Sequence, residues 1–195
     1  ALDELRATAP DLLVVVGGDT RTRTYAEGTR STLMPYGEPV PVTLGQTVTA
    51  SPGPSEPTQQ PDPTGLPLSL AIGAWLLERS GWTGPVRGLG VAEDEPPQTC
   101  LDLGAGLAAE ADRVGLLVMG DGSARRTPAS PGYRDERAQA FDTDAARAFE
   151  TGDVAALAAL DVELAHELMV AGRAPWQVLA GAWSDDVPDP QLLFA

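Results

Sequence analysis

Asp11-Leu12-Leu13-Val14-Val15-Val16-Gly17-Gly18 is the stretch on which the fold turns. Its apolar run is short, β-branched at three successive positions and stopped by paired glycines, so it reads as a strand buried on both faces. The pattern returns at Val114 to Met119, ending at Gly120. A third candidate runs from Val86 to Val91, where interleaved glycines signal close backbone approach or a bulge. Helical stretches lie between them. Leu68 to Arg79 carries Leu68, Ile72, Trp75 and Leu76 at helical spacing, and Leu101 to Ala111 does the same with Leu103 and Leu107. Strands that alternate with helices imply a mostly parallel sheet, so the expected class is α/β.

From Arg134 onward the reading is all helix. One helix is expected from about Asp135 to Glu150, two more start at the N-caps Asp153 and Asp161, and a last one runs from Ala174 to Trp183. Trp176 and Trp183, seven residues apart, are expected to share a buried face. Leu2, Leu5 and Arg6, leading to Pro10, read as the last turns of an amphipathic helix, and both ends of the chain read as cut. Gly45 to Gly65 is rich in Pro, Ser, Thr and Gln and exceeds an ordinary connection, so a long surface loop is expected there.

At 195 residues and 43% hydrophobic positions, the chain can bury a core of its own, and one domain over 1–195 is expected. Its apolar runs stop well short of the roughly eighteen residues of a membrane span. A net charge of -15 repels phosphates and anionic surfaces, so neither nucleic acid nor membrane is an expected partner. The single cysteine, Cys100, has no partner for a disulfide or a thiolate metal site and reads as a buried thiol in a reducing cytoplasm. The chain opens with no export signal.

Fingerprints of phosphate-binding loops, dinucleotide sites, serine hydrolases and zinc proteases are missing. The only histidine, His166, stands between Glu163 and Glu167 on a helical segment and reads as a surface residue. All thirteen basic residues are arginines, and five of them fall in two places. Arg21, Arg23 and Arg30 follow the first strand, and Arg125 and Arg126 follow the other clear strand. Ligands of open parallel sheets bind beyond the carboxyl ends of the strands, so adjacent strands would bring these arginines together as a pocket for a small anion. Asp19, Thr20, Asp121 and Ser123 belong to the same segments. The alternative is that these arginines are solvated or pair with local acids such as Glu27 and Glu38. Asp19 and Asp121 could also be imagined as an acid/base or metal-binding pair, but nearby arginines oppose a cation.

Gly120-Asp121-Gly122-Ser123-Ala124-Arg125 resembles the Gly-Asp-Leu-Ser-His-Arg segment of the class III extradiol ring-cleavage dioxygenases. The order downstream resembles that family too: Gly132-Tyr133, Phe141-Asp142, Gly152-Asp153, Ala156-Leu157, Leu160-Asp161, Glu163-Leu164, Gly172 and Pro175. The likeness covers about Arg113 to Trp183. It implies a single α/β domain with a central mixed sheet flanked by helices, similar to the Memo proteins, and a homodimer as the expected assembly. Family members bind Fe(II) through two histidines and a glutamate and use the histidine of their Asp-Leu-Ser-His run as acid/base. Here that position is Ala124. The metal histidine expected after the first strand falls near Gly17, Gly18 and Asp19, the glutamate falls at Val170, and the other histidine would lie upstream of Ala1. The resemblance therefore implies the fold without the iron cofactor. Three functions follow as expectations: a metal-free relative that binds a small anion through Arg21, Arg23, Arg125 and Arg126; an active metal enzyme with ligands outside this chain; or a protein-interaction module.

Overall fold

The computed structural model describes residues 2–45, 65–131, 133–183 and 190–191. The interior of the Pro-rich loop, Gly132 and the last four residues lie outside the described residues. The elements in chain order are α1 (Leu2–Ala7), β1 (Leu12–Asp19), β2 (Arg23–Tyr25), β3 (Arg30–Thr32), a 3-10 turn (Met34–Tyr36), β4 (Pro41–Thr43), α2 (Leu68–Ser80), β5 (Val86–Ala92), α3 (Pro97–Ala108), β6 (Val114–Met119), α4 (Arg137–Thr151), α5 (Val154–Ala158), α6 (Val162–Glu167) and α7 (Arg173–Ala182). They form a single α/β domain.

The main sheet has the order β2-β5-β1-β6. β1 runs parallel to β5 on one side and to β6 on the other, while β2 adds an antiparallel edge, so the sheet is mixed. The apolar run of β1 is continuous because both of its faces are covered. Leu13 and Val15 point into a core shared with α2 and β4, whereas Val14 and Val16 point into a second core shared with α3 and α7. All four are fully buried, each worth roughly 1.5–3 kcal/mol of transfer free energy.

The helices on the second face touch through glycine. A Cβ on Gly104 of α3 would run into the Val178 carbonyl of α7 and lie 2.7 Å from the Ala182 nitrogen, and one on Gly181 would lie 2.6 Å from the Leu101 Cα. Asp153 and Asp161 cap α5 and α6 as expected, their carboxylates accepting from Ala156 N at 2.9 Å and Leu164 N at 2.7 Å.

Several boundaries differ from the sequence reading. The segment after β1 is not a plain loop: Arg23 opens β2 and Arg30 opens β3, strands of three residues, too short to show a period. α3 starts at Pro97, whose fixed φ suits the first helical position, four residues before the expected start, and its last residue is Ala108. Trp183 ends α7 in an extended conformation and is half-buried, so it does not share the face of Trp176, which packs edge-on against Phe149 at 5.4 Å.

Candidate functional site

The carboxyl ends of β1 and β6 are hydrogen-bonded neighbours, and the start of α2 lies across them. Gly17 permits this closeness, because a Cβ there would lie 2.5 Å from the Ser69 Oγ. That hydroxyl donates to the Gly18 carbonyl at 2.8 Å and ties α2 to the strand end. Beyond this contact opens a cavity of about 530 Å³. Pro67, Leu68, Ile72 and Met119 supply an apolar side. Asp19, Thr20, Arg23, Ser69, Glu93 and Asp121 supply a polar one, and Tyr36 of the 3-10 turn stands at its edge.

Asp19 is the most constrained of these groups, at 8% exposure. Its Oδ2 accepts from the Tyr25 hydroxyl at 2.6 Å and from Arg23 Nε at 2.9 Å, and its Oδ1 accepts from Thr20 N at 2.6 Å. Burial alone would raise its pKa, but the hydrogen bonds from Tyr25, Arg23 and Thr20 together outweigh burial and hold the carboxyl below its ordinary value. The Tyr25 phenol is pushed the other way, by burial first and by its bond to Asp19 second, so it stays a donor. Arg23 also stacks over the Tyr25 ring, 4.8 Å from its centroid.

The structure brings Asp19, Thr20, Arg23 and Asp121 of the expected site together on one cavity and leaves the other expected residues off it. Arg21 is exposed, and Arg30 opens the β3–β4 hairpin. Ser123 is buried and acts as a staple, its Oγ donating to the Leu168 carbonyl at 2.7 Å while its amide donates to Asp142 at 2.8 Å. Arg125 donates to the carbonyls of Tyr133 and Glu167, and Arg126 donates to Gln139 and faces Asp142 at 3.6 Å. The chain turns away after Asp121 because Gly172 packs directly on it: Gly172 N donates to the Asp121 carbonyl at 2.8 Å, and a Cβ on Gly120 would lie 2.7 Å from the Gly172 Cα. Arg125 and Arg126 are thereby carried to the side of α4 and α6, where carboxylates and carbonyls take them up.

The cavity wall therefore carries three carboxylates, Asp19, Glu93 and Asp121, against the one guanidinium of Arg23, which is engaged by Asp19. Sequence reasoning misses Tyr25 and Glu93. Glu93 follows the end of β5, so the strand-end rule that singles out Asp19 and Asp121 reaches it once β5 is read to Ala92. Tyr25 carries no such signal.

The residues do not fit the Fe(II) site that the resemblance implies. Asp19 is taken up by its own partners, His166 is exposed on α6, and Ala124 and Val170 offer no donor side chain. Among the described residues no group of three His, Cys, Asp or Glu side chains is placed to hold a metal ion. Cys100 is buried beneath α3 and unpaired, its thiol pushed up to about 11 mainly by burial. No described helix is long and apolar enough to cross a membrane.

No protein-family model matches the chain, and neither does any curated protein. Among solved structures, an uncharacterized protein JW3007 from Escherichia coli K12 is similar at 17% identity and a TM-score of 0.49, over 95% of this chain and 81% of that one.

Proposed function

We propose that this chain is a small-molecule binding protein, a divergent relative of the class III extradiol dioxygenases without their iron chemistry. Its ligand is a compact amphipathic molecule whose apolar body lies against Leu68, Ile72 and Met119 and whose cationic or hydroxyl-bearing head meets Glu93 and Asp121. The observation that carries this reading is the charge balance of the wall. Arg23 is neutralised by Asp19, which leaves two carboxylates to set the local potential, on a chain whose net charge is already -15. A cavity of about 530 Å³ lies within the size range of small-molecule sites.

Calorimetric titration with phenethylamine and 3-phenylpropionate, which share a ring and differ in the charge of the head, tests the reading. Phenethylamine should bind at least about tenfold more tightly, equivalent to about 1.4 kcal/mol. Glu93→Gln combined with Asp121→Asn should remove most of that preference. Arg23 is the observation that favours the anion reading instead. A preference for 3-phenylpropionate that is lost in Arg23→Gln would replace our proposal with that one, and binding of neither probe would end both.

A further inference from the structure

Arg173, the first residue of α7, is 1% exposed, and no carboxylate lies within ion-pair distance of it among the described residues. The hydrogen bonds of its guanidinium run to uncharged groups. Nη1 donates to the Glu95 carbonyl at 2.7 Å and to Gln177 Oε1 at 2.9 Å, and Nη2 donates to the Glu93 carbonyl. Gln177 passes the link on, its Nε2 donating to the Ala158 and Leu160 carbonyls at 3.0 Å each. Burying a guanidinium without a counter-charge is costly, and what this one obtains is a fixed geometry for the turn between β5 and α3.

The same turn is held from its other side. Thr22 Oγ1 accepts from Ala92 N at 3.1 Å and donates to the Glu95 carboxylate. The turn thus lies between Arg173 in the core and the β1–β2 connection, which itself carries Thr20 and leads into Arg23. Glu93, the first residue after β5, stands on the cavity wall within it.

We infer that Arg173 is a positioning residue for the cavity: by gripping the Glu93 and Glu95 carbonyls it sets where the Glu93 carboxylate stands opposite Asp19 and Asp121. The inference rests on the reading of the cavity given above. A purely structural brace would affect stability alone, whereas a positioning residue changes which head group the cavity prefers.

The test titrates phenethylamine and 3-phenylpropionate into the full chain and its Arg173→Lys and Thr22→Val variants, with melting temperatures measured alongside. One ammonium cannot span the three oxygens that the guanidinium reaches, so folded Arg173→Lys should lose about tenfold in the preference for the amine, the scale of one charge-assisted hydrogen bond. Thr22→Val loosens the turn without entering the core. It should keep its melting temperature and lose about threefold in preference, the scale of one neutral hydrogen bond. Unchanged preference in folded Arg173→Lys overturns the inference, and if that variant does not fold, unchanged preference in Thr22→Val overturns it. A wild-type chain that does not discriminate the probes overturns the reading of the cavity, and the positioning role falls with it.

Discussion

Asp19 shows how a buried carboxylate is kept charged at the end of a strand. Two of its partners, Arg23 and Tyr25, come from the next strand, and the third is the amide of Thr20. Because its folded pKa lies below the unfolded value of about 3.9, its contribution is present above that pH and is lost as pH falls through the folded value. Asp19→Asn places an amide N–H against the Arg23 or Tyr25 donor and should cost about 2 kcal/mol at pH 7. In urea denaturation followed against pH, the gap between the variant and the wild type should close only below about pH 4; a constant gap would show that Asp19 is not the titrating group. At this scale the strand-end rule is enough to find Asp19, Thr20 and Asp121. The arginines are harder to place, because a long side chain goes to whichever acceptor the fold brings near it. Arg125 and Arg126 find theirs on α4 and α6, and nothing local in the sequence announces that.

The contact between α3 and α7 depends on two positions without side chains. Gly104→Ala drives a methyl into the Val178 carbonyl, backbone that cannot give way, and should destabilise the protein by about 3 kcal/mol. Gly106, two residues on in the same helix, faces open space, so Gly106→Ala should stabilise by about 0.5–1 kcal/mol through helix propensity alone. Chemical denaturation of the two variants gives opposite signs if the helices meet as described, and the same sign if they do not. The long elements are legible because each carries a period or a cap: β1 and β6 as apolar runs, α5 and α6 from Asp153 and Asp161. Hairpin β3–β4 and edge strand β2 are not, since three residues cannot show alternation. In the sequence Gly104 is an ordinary helix-weakening glycine, and only the neighbouring helix gives it a purpose.

For the molecule as a whole, an excess of fifteen negative charges works against compactness. Many of its ion pairs are exposed, Arg147 with Asp144 and Arg6 with Asp3 among them, and pairs of that kind contribute little. Screening the general repulsion should therefore outweigh the weakening of those pairs. The melting temperature should rise by about 2–4 °C between about 10 and 200 mM NaCl, equivalent to about 1 kcal/mol. A fall over that range would mean that the local pairs dominate. The α/β class and the sheet centred on β1 follow from the order of elements, but the charge of the cavity wall does not, because it depends on which of many acidic residues the turns bring together.

Neighbouring glycines at the end of β1 also decide how this wall can be altered. Gly17 is sealed against the Ser69 hydroxyl, and any side chain there would push α2 off the strand, whereas a Cβ on Gly18 meets only the Ala171 carbonyl at an ordinary 3.5 Å. Mutational drift and protein engineering thus face the same asymmetry: new chemistry, an imidazole included, can be introduced from position 18 at little steric cost, while position 17 admits it only by dismantling the entrance.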